Sequence, residues 1–359
     1  MTSIRSLVAV VAISRAIVVA AALLAEQVVG RNPLLTSGDG APILRSLTAW
    51  DGWWYLGIAR DGYHVEPIVG TYHDYAFLPG WPALIRVLSW PWPDYAGLVS
   101  VVSANVLFLI GIALLVRLGR VVLGDERAIW GAALLALLPF SAVYSMAYGE
   151  SLFLCLSVGA LLAAERDRRM LAGVLVALAA LARLQGAVLA VPVGLIFFLR
   201  DGRRLRWSQA WVLLGPLAAV AFVGGVGLFA GGSDAYGAAQ AAWGRSGVGA
   251  AAADQALGGA LSLVNVAQLV TLVVALFALV YVRVDRIPLP YVVVAVLPLV
   301  LVFASGTLES VGRHVTSSFP YAWILAGRRA AWFRVGWPIV SGALLLAVST
   351  AMFAGRYVP

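Results

Sequence analysis

Lysine is absent from this chain, and all 25 basic residues are arginine. Cysteine occurs once, at Cys155 within an apolar run, which excludes an internal disulfide and a metal–thiolate cluster. Histidine occurs three times, and His64, His73 and His314 do not form a ligand set; the adjacent His73–Asp74 pair is expected in a solvated loop, with no metal site. No Walker-type glycine loop and no dinucleotide fingerprint lies in a strand–turn–helix context, and Gly224, Gly225 and Gly227 fall inside an apolar run where they serve helix packing. Charge itself is scarce: 12% of the 359 residues are charged against 62% hydrophobic, with a mean hydropathy of +0.93. A soluble domain of ordinary composition is thereby excluded. The net charge of +8 would suggest nucleic acid in a soluble protein, but the arginines fall in short loops between apolar runs. Membrane orientation explains them better, and no nucleic-acid partner is expected.

What the chain does have is apolar runs, many long enough to cross a hydrocarbon core of ~30 Å. Residues 7–29 form the first, with Arg15 inside it; a buried structural pairing is the expectation for that charge. Residues 30–94 carry mixed charge, prolines and apolar pieces too short to span, and are expected as a long extracytoplasmic loop with interfacial helices. Residues 95–116 span back. The run at 128–164 is too long for one crossing and divides at Gly149–Glu150 into a hairpin. A second hairpin, 170–199, breaks at Arg183-Leu184-Gln185-Gly186; its first arm of about 13 residues is only ~20 Å long, which leaves Arg183 at membrane depth or in a cavity. Residues 211–230 lead to a Gly/Ala-rich external loop, 231–262, expected to be mobile. Spans at 263–282, 289–304, 315–327 and 335–353 follow. The expectation is an all-α polytopic membrane protein of one domain, with about eleven transmembrane helices, in the plasma membrane. Its N-terminus would be cytoplasmic, because that register puts most arginines inside. Asp51, Glu150, Arg183, Glu309, Arg313 and His314 then all reach the external face. No internal repeat of the kind common in secondary transporters is evident.

The most unusual stretch is Trp50-Asp51-Gly52-Trp53-Trp54-Tyr55, followed by Ile58-Ala59 and Gly62-Tyr63, two aspartates among aromatics in an apolar chain. Asp51 could cap a helix, and Asp61 before a glycine reads as a turn residue. In order and spacing this stretch resembles the first extracytoplasmic loop of the GPI mannosyltransferase 2 (PIG-V-like) family and its bacterial relatives. Four further segments follow in family order: Phe77-Leu78-Pro79-Gly80-Trp81-Pro82, Tyr148-Gly149-Glu150-Ser151-Leu152-Phe153, Ala182-Arg183-Leu184-Gln185-Gly186 and Gly312-Arg313-His314. The family usually has tyrosine where this chain has His314.

The resemblance implies a GT-C glycosyltransferase that works on the extracytoplasmic face with a polyprenyl-phosphate sugar, usually mannose, as donor. Asp51 occupies the position of the family's acidic general base. Chemistry fits that assignment, since transfer needs a base for the acceptor hydroxyl and cations for the leaving phosphate. Arginine's fork suits phosphate oxygens, so Arg183 and Arg313 are the expected donor-phosphate ligands. Trp50, Tyr55, Glu150 and His314 are candidates for binding or orienting substrate. The acceptor could be a glycolipid, a glycan or a protein; no cofactor is expected, no residue is assigned as a metal ligand, and dependence on a divalent metal stays open. Two alternatives stay open: a lipid-linked sugar transporter or flippase, and an enzyme using another polyprenyl-phosphate sugar such as arabinose.

Overall fold

A computed structural model describes residues 3–32, 35, 40–245, 263–305, 310–328 and 330–356. Among them the regular structure is helical, and pairing of extended backbone is limited to one bridge, Val69 with Tyr72. Four stretches are long and apolar enough to cross a membrane: Ile4–Val29, Pro93–Leu123, Trp207–Ala230 and Ala331–Phe353. Four shorter apolar helices accompany them. The chain is a multi-pass membrane protein. The eleven crossings expected from hydropathy resolve into these long helices and a set of broken ones.

The first helix, α1 (Ile4–Leu24), opens on Ser3, whose Oγ accepts from the Ser6 amide at 3.2 Å. It packs against α6 (Asp125–Leu137) and the last described helix, α17 (Ala331–Phe353), and its Arg15 lies over Phe108 of α5 (Ala96–Leu123). Between α1 and α5 lie three short helices, α2 (Pro42–Leu47), α3 (Asp51–Asp61) and α4 (Gly80–Ser89). The loop expected at 30–94 thus carries three helices, of 6, 11 and 10 residues. His73–Asp74 is not a solvated pair either: Asp74 is buried and accepts from the His64 backbone amide and, at 2.8 Å, pairs with His64 Nδ1.

Helix α6 begins with Asp125 and Glu126, which suit the positive end of the helix dipole. It stops before Pro139, and the chain does not become α-helical again until α7 (Glu150–Glu165). The hairpin break is thus a segment, 138–149, not a point at Gly149–Glu150. Buried irregular backbone at membrane depth needs partners. Here they are supplied by Trp81 Nε1 donating to the Ala147 carbonyl (2.9 Å), by the Ala147 amide donating to Leu47 O (2.8 Å) and by Arg15.

The second hairpin follows the expectation closely. Helix α8 (Arg169–Ala182) ends where Arg183 turns extended (φ −153°, ψ 141°), and α9 (Gln185–Val188) and α10 (Ala190–Arg200) lead away. Gly186 permits this reversal, because a Cβ there would collide with the Ala179 and Ala180 backbone. Gly80 lets α4 start against the end of α8, where a Cβ would lie 2.8 Å from Leu181 and Ala182 backbone atoms. Helices α11 (Leu214–Ala230) and α12 (Ala235–Ala242) come next. The stretch expected to be a mobile loop thus contains α12, packed on the first loop through Trp243, which meets Tyr72, Trp54 and Phe77 at ring distances of 4.6, 5.5 and 5.5 Å. Residues 246–262 and Glu309 lie outside the described residues.

After α13 (Leu263–Val280) and α14 (Leu289–Ser305), the run expected as a span at 315–327 is two short buried helices, α15 (Val311–Ser317) and α16 (Pro320–Ala326). Hydropathy reads their apolar faces as lipid-facing. They are covered by protein instead, with Phe319, Trp323 and Ile324 fully or almost fully buried.

Candidate active site

Four backbone breaks meet at one end of the bundle: the start of α3, the start of α7, the turn after α8 and the start of α15. Each delivers a charged side chain. Trp50, before α3, has a left-handed backbone (φ 58°), and so does Ser310 before α15 (φ 63°). Such conformations cost of order 1 kcal/mol or more in a non-glycine residue. Both are held by their surroundings: Trp50 Nε1 donates to the Met352 carbonyl at 3.0 Å, and Gly312 in the next turn lies so close to Phe140 that a Cβ would run into its ring. The Gly312 amide donates to Gln268 Oε1 at 2.8 Å.

Asp51 is the first residue of α3, not its cap, which is Trp50. Its carboxylate pairs with the Arg313 guanidinium. Arg313 Nε also donates to Glu150 Oε1, and the same oxygen accepts from Arg183 Nη1. Glu150 is therefore the hub of a chain of charges running Asp51–Arg313–Glu150–Arg183. Its side chain is completely buried, while those of Arg313, Arg183 and Asp51 are 5%, 11% and 15% exposed. As the first residue of α7, Glu150 also sits where the helix dipole favours negative charge. The Arg313 guanidinium lies 4.6 Å above the Tyr148 ring. Gln185 bridges Arg183 Nε (3.3 Å) and His314 Nδ1.

Asp51, Tyr55, Arg183, Gln185, Arg313 and His314 line one open cleft. The opposite wall is apolar, from Leu301 and Val302 of α14. Burial, with Asp51 next to it, pushes the Tyr55 hydroxyl above the ordinary tyrosine range, so it stays protonated and can donate. Glu150 lies behind the lining residues, and Trp50 packs into the core at the base of α3 without reaching the cleft. Two parts of the wall have no counterpart in the sequence expectations: Arg245, and the α12 face carrying Tyr236 and Gln240. The available signal was slight, since Arg245 is the single arginine of a Gly/Ala-rich stretch, two residues after Trp243. Among the described residues no group of three or more histidine, cysteine or acidic side chains is placed to hold a metal.

The arrangement can hold a carboxylate at the edge of a cavity with guanidinium groups close by, in a helical membrane protein whose other walls are greasy. Its Mannosyltransferase (PIG-V) match covers residues 4–199, more than half of the chain, and the protein belongs to that family. Asp51, Glu150 and Arg183 fall within the matched range; Arg245, Arg313 and His314 fall beyond it. GPI alpha-1,6-mannosyltransferase 2 of Cricetulus griseus is 35% identical over 185 residues, covering 49% of this chain and 35% of that protein. The Rattus norvegicus protein of the same name is 36% identical over 185 residues with the same coverage. GPI mannosyltransferase 2 of Chaetomium globosum is 30% identical over 139 residues, 34% of this chain and 28% of that one. The matches thus span about a third of the relatives' own length. Among solved structures, the archaeal oligosaccharyltransferase AglB of Archaeoglobus fulgidus, in complex with an inhibitory peptide and a dolichol-phosphate, aligns with a TM-score of 0.49 at 12% identity, over 96% of this chain and 56% of that one.

Proposed function

We propose that the protein is a membrane glycosyltransferase of GT-C type that moves mannose from a polyprenyl-phosphate donor to an acceptor hydroxyl on the extracytoplasmic face. The observation that carries this reading is the convergence of Asp51 with Arg183 and Arg313 on one cleft that also has apolar walls. Family membership supports the sugar, and the curated relatives' names point to a mannosyl acceptor of the glycolipid class.

In the mechanism, an Asp51 carboxylate oxygen takes the proton of the acceptor hydroxyl. The hydroxyl oxygen forms the new bond to the anomeric carbon as the bond from that carbon to the phosphate oxygen breaks. The phosphate leaves with the bonding electrons and stays on the lipid. One displacement inverts the anomeric centre. The guanidinium charge around the cleft offsets the negative charge that grows on the departing phosphate. Tyr55, protonated, is placed to donate to a substrate oxygen.

The test is transfer by the purified full chain from radiolabelled polyprenyl-phosphate mannose to a panel of glycolipid, glycan and peptide acceptors. Mannose transfer with inversion supports the reading. Lipid translocation in proteoliposomes with no transfer to any acceptor would replace it with a flippase. Protease access to an N-terminal tag in sealed vesicles reports the orientation, with protection in right-side-out vesicles as the expected result.

A further inference from the structure

Arg183 and Arg313 were the expected phosphate ligands, but both are already engaged. Each gives a donor to Glu150, Arg313 gives another to Asp51, and both are almost buried. Arg245 is different. It reaches the same cleft from the α12 side, and it is accessible there. Among the described residues its guanidinium donates to Gln240 Oε1 at 2.9 Å, a neutral acceptor, and meets no carboxylate at ion-pair distance.

Its position is nevertheless fixed. The Arg245 amide donates to the Gln240 carbonyl at 3.1 Å, and Gln240 Nε2 donates to Ala76 O at 2.8 Å. Trp243 anchors the same turn among the aromatic rings of the first loop. Leaving His314 aside, among the described residues three guanidinium groups line the cleft against two carboxylates, Asp51 in its wall and Glu150 behind it. Among these described groups one positive charge is uncompensated. An accessible guanidinium whose acceptor is neutral favours an incoming anion, with which it forms charge-assisted hydrogen bonds. A phosphodiester linking a sugar to a lipid carries one negative charge, which matches the excess.

We propose that Arg245 is the residue that binds the phosphate of the lipid-linked donor, while Arg313 and Arg183 position Asp51 and Glu150. Gln240 holds the guanidinium until the phosphate arrives and replaces it as acceptor. The assignment rests on the transferase reading for the identity of the phosphate. It moves the anion site from the buried charge chain to the α12 wall, so binding and base positioning become separable by mutation.

The experiment is equilibrium binding of polyprenyl phosphate to the purified full chain in detergent, beside the mannose-transfer assay. Arg245→Gln weakens binding by roughly tenfold or more, the scale of one lost charge-assisted hydrogen bond. Arg245→Lys recovers most of the affinity, and its melting temperature matches wild type. Arg313→Lys leaves the affinity within about twofold, because its donors face carboxylates, and lowers kcat. Wild-type affinity in Arg245→Gln, with wild-type transfer intact, overturns this inference alone. An equal loss of phosphatidylglycerol binding overturns the assignment to the donor. A wild-type protein that neither binds polyprenyl phosphate nor transfers mannose overturns the function and this inference together.

Discussion

Two arginines of this protein lie over aromatic rings at almost the same distance, Arg15 at 4.5 Å from the Phe108 centroid and Arg313 at 4.6 Å from that of Tyr148. Their partners have nothing in common. Arg15 donates to neutral oxygens: Ser14 Oγ at 3.2 Å, Ser141 O and Oγ at 3.2 and 3.0 Å, Ser145 Oγ at 2.9 Å and Ala136 O at 3.3 Å. Arg313 donates to two carboxylates. Three of these Arg15 bonds tie the irregular segment 138–149 to α1, and the other two go to Ser14 of α1 itself and to Ala136 near the end of α6. Arg313 faces a cleft, and its charge fixes the direction of Asp51. An arginine in an apolar chain is therefore uninformative by itself; the charge of its partners, and whether a cavity borders them, separates a brace from a working group.

Four substitutions probe that contrast. Asp51→Asn should have the largest effect, a loss of about 10²–10⁴ in kcat with the melting temperature within a few degrees of wild type, the signature of a removed general base. Retention of wild-type transfer would sink the base assignment. Glu150→Gln should come next, destabilising the fold by about 3–5 kcal/mol because two nearly buried guanidinium groups lose their shared anion. The double variant Glu150→Gln, Arg183→Gln should recover part of that loss in thermal or denaturant unfolding in detergent. Arg15→Met should cost about 1–3 kcal/mol of stability, a sum of modest hydrogen bonds within the membrane, with donor KM unchanged. A change in KM without a change in stability would place Arg15 in the working class and break the contrast. The smallest effect is expected from Trp50→Phe, about 1 kcal/mol for the lost bond to Met352, read by the same unfolding assay and with donor KM unaltered.

The breaks that build the site were legible because each places polar or charged residues where a helix of apolar residues would otherwise continue. Arg183 in the middle of the 170–199 run and Glu150 after Gly149 both stood out on those grounds. What joins them did not. The Asp51–Arg313 pair spans 262 positions in the chain, and no periodicity or composition encodes that distance. The role of Glu150 as a shared anion for two arginines was hidden for the same reason. Hydropathy counted 315–327 as a crossing because apolar length is the same whether it faces lipid or protein. The Gly/Ala content of 231–262 suggested flexibility, yet Ala is also a strong helix former, and Trp243 gave α12 something to pack on. Arg245 was overlooked with it.

The link between Asp51 and Arg313 also has a consequence for biosynthesis. Ribosomes release this chain into the membrane from its N-terminal side, so Asp51, Glu150 and Arg183 are inserted long before Arg313 is made. During that interval Asp51 lacks its Arg313 partner, and Trp50 has no Met352 carbonyl to hold it. These contacts close only when α15 and α17 dock, because pairs this distant in sequence form late. Insertion of the closing helices thus completes the Asp51–Arg313 and Trp50–Met352 links, and a chain lacking those helices lacks both.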